Sequence, residues 1–217
     1  MLQRRIAGLL LCPTGDDHSW LSAGRAPVVL VDRGAPGLSA DIVEIDDYRA
    51  AFSAAAHLIA HGHERIAYVG DTPAIATSAA RLLGWRDALA HHHLQADERL
   101  VRSDCATSSA AADAVAAVLR GDGAPTAILS ATTRASLGVV PALHSLRRTD
   151  IALVCFGDFP MADTLRPAIT VVDHPGHEIG RAAAARLLGR LAQPDLPVGR
   201  IQIHARIIER GSGELRR

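Results

Sequence analysis

The stretch that decides the fold is HLIAHGHERIAYVGD (residues 57–71), followed after a short loop by TSAARLLGWRDAL (residues 77–89). It predicts the end of a helix, a stop at Gly62 and a short strand over residues 65–70, because glycine adopts the left-handed conformation that ends many helices. The next predicted helix carries Arg81 in its first turn. Ligands of parallel α/β sheets bind beyond the carboxyl ends of strands, so this unit is typical of a protein that binds a small polar molecule.

The remainder of the chain repeats the same alternation of strand and helix patterns. Short, uninterrupted apolar runs, as in strands buried on both faces, alternate with segments rich in Ala and Leu, which favour helix. We therefore expect an α/β fold with doubly wound parallel sheets. Strands are predicted over residues 6–12, 27–32, 42–46, 65–70, 99–102, 126–131, 151–156, 169–172 and 201–208. Helices are predicted over residues 48–61, 78–92, 108–120, 135–146 and 177–191, with a helix fragment at 2–5 and an N-cap at Thr107 or Ser108.

The charge balance argues against a nucleic-acid-binding surface. The 217 residues contain 23 basic and 23 acidic side chains, whereas nucleic-acid-binding modules usually carry a basic excess or a basic stripe. All of the basic residues are Arg, and neither Lys nor Asn occurs. A Schiff-base lysine and the lysine of a phosphate-binding loop are thereby excluded.

The cysteines and the hydropathy indicate a cytoplasmic chain without membrane contact. Cys12, Cys105 and Cys155 are widely spaced and form no CxxC pair, which suits free thiols in a reducing compartment. Cys12 and Cys155 fall within strand-like runs and are expected to be buried. The chain shows no secretory signal and no apolar run of the length that a membrane-spanning helix needs.

No motif of a known catalytic or metal site is present. The chain lacks GxSxG, lacks GxGxxG after a strand and lacks HExxH. The run His91-His92-His93 is interpreted as a solvated helix end, because three consecutive residues on a helix point in different directions and cannot all bind one ion. We therefore expect no enzymatic activity, no cofactor and no metal.

Two charged side chains follow predicted strands at their carboxyl ends. The planar guanidinium of Arg81 suits bidentate hydrogen bonds to hydroxyls or carboxylates, and the carboxylate of Asp32 can accept hydrogen bonds from a polyol. A structural alternative stays open for each: a surface ion pair for Arg81 and a loop cap for Asp32.

Over residues 6–213 the chain resembles the core domain of lactose-repressor-type transcription regulators. No single matching run of sequence identifies this family, but the order and the spacing of all the matching runs together are specific to it. The matching runs are IAGLLLCP (6–13), PVVLVDR (27–33), GHERIA (62–67), RLLGW (81–85), PTAIL (125–129), DIALV (150–154), the segment 169–180 and IERGS (208–212).

This resemblance implies a periplasmic-binding-protein-like fold of two doubly wound parallel-sheet lobes joined by crossovers. One lobe would hold residues 1–45 and 174–204, and the other residues 46–173 and 205–217. A small-molecule effector would bind in the cleft, and the chain would form homodimers. Operator DNA would be bound only through a helix-turn-helix, which these residues do not include.

The resemblance also assigns effector contacts position by position. Asp32 and Arg81 match the carboxylate and the arginine that contact effector hydroxyls in the family. Asp158 matches the second of two acidic residues that follow a later strand.

At the other effector positions the chain departs from the family pattern. Thr132 and Thr133 replace an Asn-Asp pair, and Gly157 replaces the first of the two acidic residues. Ile45 stands where an aromatic residue often packs on a sugar, and His174 stands where a glutamine often occurs. The loss of these groups argues against a typical monosaccharide and for a different or less polar effector, or for no effector response.

The start of the chain departs further, because the first two strands of the family's effector domain are missing as well. Their loss would expose the edge of the strand over residues 6–12. A misplaced start codon and a deliberately shortened chain are the favoured explanations over a degenerate gene product. The function expected is therefore effector binding and dimerisation within a transcriptional regulator. The alternatives are a stand-alone periplasmic-type small-molecule binder and, less favoured, an enzyme on a doubly wound sheet.

Overall fold

A computed structural model of the chain describes residues 6–15, 17–22 and 26–217. The helix fragment predicted at residues 2–5 lies outside the described residues. The chain divides into two compact units. Unit 1 comprises Met1–Asp46 and Pro175–His204, and unit 2 comprises Asp47–His174 and Ala205–Arg217.

Strands and helices alternate along the central part of the chain, as the apolar patterns predict. The strands are β1 (Leu9–Leu11), β2 (Val28–Val31), β3 (Asp41–Ile45), β4 (Ile66–Val69), β5 (Val101–Arg102), β6 (Ala127–Ser130), β7 (Ala152–Phe156), β8 (Thr170–Val172), β9 (Arg200–Ile203) and β10 (Ile207–Ile208). The helices are α1 (Ser19–Ser22), α2 (Asp47–Ala60), α3 (Ala76–His91), α4 (Ser108–Arg120), α5 (Thr133–Ser145) and α6 (Gly176–Ala192).

Unit 2 is built on a six-stranded sheet in the order β10-β8-β7-β6-β4-β5. All of its ladders are parallel except the one between β8 and β10. Every residue of β4, β6, β7 and β8 is buried, as expected for uninterrupted apolar strands covered on both faces. The predicted α/β class is confirmed, and the parallel strands bring their carboxyl ends to one edge of the sheet.

Local signals set the helix ends of unit 2. Helix α2 ends at Ala60, and Gly62 follows with φ 91°, as predicted for a helix stop. The hydroxyl oxygen of Thr107 accepts a hydrogen bond from the Ala110 amide and caps α4, which decides between the two predicted caps.

In α3, Gly84 faces the carbonyl of Tyr48 so closely that any side chain would collide with the backbone of α2. This close packing fixes the position of α3, and with it that of Arg81.

The carboxyl-terminal segment completes unit 2. The hydroxyl of Ser212 donates to the Leu153 carbonyl at 2.6 Å and accepts from the Thr170 amide at 2.8 Å, so it bridges the strands β7 and β8. The Glu214 carboxylate accepts hydrogen bonds from the Thr170 hydroxyl at 2.8 Å and from His57 Nε2 at 2.6 Å. The segment is therefore an integral part of the sheet's support.

Unit 1 is built on a parallel four-stranded sheet in the order β1-β2-β3-β9. Asp41 on β3 is 1% exposed and accepts hydrogen bonds from Arg186 Nε at 2.8 Å and Arg190 Nε at 2.6 Å, both on α6, and from the Gly199 amide at 2.9 Å. Burial alone would raise the pKa of Asp41, but the hydrogen bonds from Arg190 and Arg186 lower it below its ordinary value. This buried cluster attaches α6 to the sheet.

Two details of unit 1 differ from the sequence prediction. The prediction that Cys12 is buried is wrong, because Cys12 lies exposed in the loop after β1. Strand β1 ends at Leu11, since Pro13 has no amide hydrogen with which to extend the ladder. Cys155 is buried as predicted, and burial raises the pKa of its thiol to about 12. The run over residues 201–208 is divided between β9 of unit 1 and β10 of unit 2.

Strand β1 forms an edge of its sheet. Within the described part of the chain it is hydrogen-bonded only to β2, and Leu10 at its centre is 42% exposed.

Across the described residues, no helix has the length and apolar character that crossing a membrane requires.

Candidate functional site

The carboxyl edge of the unit 2 sheet carries most of the predicted site residues. Thr132 follows β6, Gly157 and Asp158 follow β7, and His174 follows β8. Arg81 lies on α3, which begins after the loop that leaves β4. Each of these residues therefore lies where a parallel sheet binds its ligands.

Arg81 is anchored by three separate segments of unit 2. Its Nε donates to Asp47 Oδ1 at 2.6 Å, and its Nη1 donates to the Ala131 carbonyl at 2.8 Å. Its guanidinium carbon lies 4.4 Å from the ring centroid of Phe156, within the range of a cation–π interaction. Because the residue is only 8% exposed, the surface ion pair considered from the sequence is wrong, and the guanidinium is held in one orientation.

Asp47 is the residue of this edge that the sequence reasoning missed. It opens α2 and is 7% exposed as a side chain, so its carboxylate forms a buried ion pair with Arg81. In a sequence, an acidic residue at the start of a helix is usually interpreted as a helix cap or as a partner of the helix dipole. Only the packing of α2 against α3 shows that Asp47 faces Arg81, and no signal in the sequence indicates it.

Gly157 and Thr133 form a tightly fitted pair at the end of β7. Gly157 has φ 78°, in the left-handed region that favours glycine, and it is buried. The Thr133 hydroxyl donates to the Phe156 carbonyl at 3.1 Å and occupies the space that a Cβ of residue 157 would need. The two replacements of the family pattern, at 133 and at 157, are therefore in direct contact.

Asp158 is paired with an arginine from the carboxyl-terminal segment. Its two carboxylate oxygens accept hydrogen bonds from Nη1 and Nη2 of Arg210 at 2.8 and 2.6 Å, and Oδ1 also accepts from the Phe159 amide at 2.9 Å. The hydrogen bond from Arg210 lowers the pKa of Asp158, and the same contact raises the pKa of Arg210. Both groups are therefore charged at neutral pH, and together they are electrically neutral.

Thr132 and His174 occupy less specialised positions. Thr132 is the N-cap of α5, where its side-chain oxygen accepts from the Ala135 amide at 3.0 Å. A hydroxyl that accepts one hydrogen bond can also donate one. His174 is half-buried just beyond the end of β8.

The two predicted site residues of unit 1 follow or end its central strands. Asp32 comes directly after β2 with φ 75°, and its Oδ2 accepts from Nε and Nη2 of Arg33 at 2.9 and 2.7 Å. Ile45 is the last residue of β3 and is 3% exposed, so its side chain packs inside the protein. Effector contact by either residue stays a prediction.

Within the parts of the chain that the structure describes, no group of three or more His, Cys, Asp or Glu side chains is arranged to hold a metal ion. The histidine run closes α3 at His91, and the ring of His91 lies edge-on to Phe52, with 5.7 Å between ring centroids. His92 and His93 beyond it are exposed.

The fold and this edge define the class of the protein: a parallel α/β domain with polar side chains gathered where such sheets bind small molecules. Residues 55–213 match the model of the periplasmic binding protein-like domain. The chain belongs to this family, and over most of its length it is similar to transcriptional regulators of the lactose-repressor type.

The relatives that the chain resembles are named as transcriptional regulators. GalR, a helix-turn-helix-type regulator of Salmonella typhimurium, is 29% identical over 175 residues, which cover 78% of this chain and 51% of GalR. The ribose operon repressor of Escherichia coli is 26% identical over 219 residues, covering 98% of this chain and 66% of the repressor. Among solved structures, the complex of the transcriptional regulator CelR with cellobiose matches with a TM-score of 0.86 at 25% identity, covering 96% of this chain and 66% of that chain. The chain thus spans less than two thirds of the length of these relatives.

Proposed function

We propose that this chain is the effector-binding and dimerisation domain of a transcriptional regulator of the lactose-repressor family. Its effector is a sugar or a related polar metabolite. The observation that carries the proposal is the anchored guanidinium of Arg81 at the carboxyl edge of the unit 2 sheet. The relatives named as a transcriptional regulator and as an operon repressor, together with the cellobiose-bound neighbour, support a regulator over a stand-alone periplasmic-type binder and over an enzyme.

The chemistry of Arg81 suits recognition of hydroxyl groups. A guanidinium carries five N–H donors in a fixed plane, and the hydrogen bonds to Asp47 and Ala131 use two of them. The ring of Phe156 supports one face of the plane. A hydroxyl oxygen can accept from the remaining donors without any reorientation of the side chain, which keeps the entropy cost of binding low.

Regulation follows from differential binding. An effector changes the affinity of a repressor for its operator only if it binds one conformation better than another. Specific DNA binding is not proposed for these 217 residues by themselves, because their 23 basic and 23 acidic side chains balance. The cytoplasm is the proposed location, since the relatives act on operons.

The test is a thermal-unfolding screen against neutral sugars, polyols and small metabolites. We expect at least one compound to raise the Tm of the native chain. The double variant Arg81→Gln/Asp47→Asn, which replaces the ion pair by a neutral pair, should lose that response. Arg86→Gln is the matched control, because Arg86 lies on the same helix but pairs with exposed Glu98.

Two outcomes would overturn the proposal. One is the absence of any response across the panel, and the other is an equal response in the Arg81 double variant and the native chain. Dimerisation is tested separately by light scattering on the purified chain. A monomer at all concentrations would remove dimerisation from the proposed function.

A further inference from the structure

Unit 1 contains a cavity at the amino edge of its sheet, opposite to the edge where Asp32 and Ile45 lie. Val28, which begins β2, and Ala40, which precedes β3, both line it. Its volume is about 450 Å³, within the range of about 300–1,000 Å³ that is usual for small-molecule sites. All of the described residues that line it belong to unit 1.

The residues that line this cavity are mostly apolar. Apolar side chains reach it from α1, from the start of β2, from the loop between β2 and β3, and from the segment before β9. They are Leu21, Pro27, Val28, Leu38 and Val198. Among the described lining residues, Arg190 of α6 is the one that carries a charge. Such a lining suits a molecule with an apolar body and one polar or charged group.

Arg190 belongs to a cluster that has more positive than negative charge. Nε of Arg186 and Nε of Arg190 donate to the Asp41 carboxylate at 2.8 and 2.6 Å, and one carboxylate balances only one of the two guanidiniums. Among the described residues, no second carboxylate pairs with either arginine. The side chains of Asp41 and Arg190 are 1% and 14% exposed. The surplus positive charge is therefore largely shielded from water, where a compensating anion is most effective.

Arg190 also has a nitrogen without a hydrogen-bond acceptor. Its Nη1 donates to the Pro194 carbonyl at 3.4 Å, which is longer than an ordinary N–H···O hydrogen bond. Its Nη2 is buried and has no partner among the described residues. A buried donor without an acceptor costs free energy. Because Arg190 lines the cavity, a molecule bound there can supply the acceptor.

A carboxylate meets both requirements, since it brings one negative charge and two acceptor oxygens. A phosphate monoester carries about 1.5–2 negative charges at neutral pH and would overcompensate the single surplus charge. We infer that this cavity is a further binding site, for a small organic carboxylate with an apolar body. The inference goes beyond the proposed function and does not depend on it, because no candidate effector contact lines this cavity.

The experiment is calorimetric titration of the native chain with hexanoate, hexan-1-ol and acetate. Hexanoate should bind at least about tenfold more tightly than the alcohol, which lacks the charge, and than acetate, which lacks the apolar body. Equal affinity for the acid and the alcohol would overturn the role of Arg190. Equal affinity for hexanoate and acetate would overturn the role of the apolar walls. No binding of hexanoate would overturn the site.

The charge is tested by Arg190→Gln. This change removes the surplus charge, while Arg186 and the Gly199 amide still hold Asp41. The preference for hexanoate over hexan-1-ol should disappear. Arg181→Gln is the matched control, because Arg181 is an exposed arginine of the same helix that does not line the cavity, and its preference should equal that of the native chain. An unchanged preference in Arg190→Gln, or an equal loss in the control, would overturn the inference.

The location is tested by Val198→Trp, which fills the cavity from a side chain that is 50% exposed. Hexanoate should bind this variant at least about tenfold more weakly than the native chain. Leu188→Trp is the control, since Leu188 is 66% exposed in the same unit and lies outside the cavity lining. Native affinity in Val198→Trp would place the carboxylate elsewhere and overturn the inference, also if Arg190→Gln fails to fold. The sugar screen is a separate measurement, so its failure and the failure of this site are distinguishable.

Discussion

The side-chain hydroxyl of Thr133 occupies the space that a Cβ atom on Gly157 would need, and it donates a hydrogen bond to the carbonyl of Phe156. Residue 157 also has a positive φ of 78°. The end of β7 is therefore held in a conformation that depends on both residues. A substitution at either position is expected to change the effect on stability of a substitution at the other.

The first prediction concerns this coupling. Gly157→Ala should lower the free energy of unfolding by about 1–3 kcal/mol, because Ala resists the positive φ and its Cβ meets the Thr133 hydroxyl. Thr133→Ala alone should cost about 0.5–1.5 kcal/mol through the lost hydrogen bond. In the double variant the loss should be smaller than the sum by about 1 kcal/mol. Urea titration of the four proteins measures the coupling.

Gly121→Ala is the control for the effect of an added methyl group. Residue 121 has φ −71°, and an added Cβ would meet nothing nearer than 3.7 Å. Strict additivity between positions 133 and 157 would show that the two residues do not share the space.

The second prediction concerns the buried pair of Arg81 and Asp47. Arg81→Gln should destabilise unit 2 by about 3–5 kcal/mol, because it leaves the carboxylate of Asp47 buried without its charged partner. The additional change Asp47→Asn should recover much of that loss, since both partners are then neutral. Chemical denaturation of the single and double variants provides the measurement, and equal stability of the two would contradict the pairing.

The third prediction concerns the attachment of α6 in unit 1. Asp41→Asn should destabilise unit 1 by about 3–5 kcal/mol, because two arginines lose their buried anion. Hydrogen exchange should accelerate over residues 176–203 and remain unchanged in α4 and α5 of unit 2. Asp150→Asn is the control, since Asp150 is exposed and pairs with Arg148, and such surface pairs contribute about 0–1 kcal/mol.

The fourth prediction concerns pH. His63 is 2% exposed, and its Nε2 donates to the Leu215 carbonyl at 2.7 Å while Nδ1 accepts from the Thr126 hydroxyl at 3.0 Å. Burial lowers the pKa of His63 below its ordinary value of 6.5. The unfolded chain therefore takes up this proton at a higher pH than the folded chain, and stability falls as the pH drops below about 6.5.

The measurement is the Tm at about pH 7.5 and about pH 5.5. The native chain should lose more stability on acidification than His63→Gln, which keeps an amide donor but does not titrate. His144→Gln, at an exposed position of α5, should behave like the native chain. A similar loss in His63→Gln would assign the pH dependence to other groups.

The sequence predicts the elements of this fold well because their signals are local. Helix α4 has the predicted bounds, and the strands β4 to β8 differ from the predicted runs by a residue or two at their ends. Apolar runs and cap residues suffice for these. Strand β10 covers only the end of the run predicted over residues 201–208. The exposure of Cys12 had a signal in the sequence, because Pro13 beside it has no amide hydrogen with which to continue the ladder.

The candidate site was predictable only in part, because its partners are distant in the chain. Arg81 and Asp47 are separated by 34 positions, and Asp158 and Arg210 by 52. The position of Arg81 after a strand indicates that it faces the ligand edge. Its charge partner depends on the packing of α2 against α3, and periodicity carries no information about that. The roles of Asp32, Ile45, Thr132, Gly157, Asp158 and His174 in effector binding stay predictions.

The bridging role of Ser212 has a consequence for synthesis of the protein. Strands β7 and β8 are complete in the growing chain long before Ser212 exists, yet the Leu153 carbonyl and the Thr170 amide depend on its hydroxyl. Domains generally fold as units while the chain is made, amino-terminal parts first. Unit 2 starts at Asp47, but it lacks these two hydrogen bonds until residues 205–217 have left the ribosome. A stop codon shortly before residue 212 would leave the Leu153 carbonyl and the Thr170 amide without the hydroxyl that joins them.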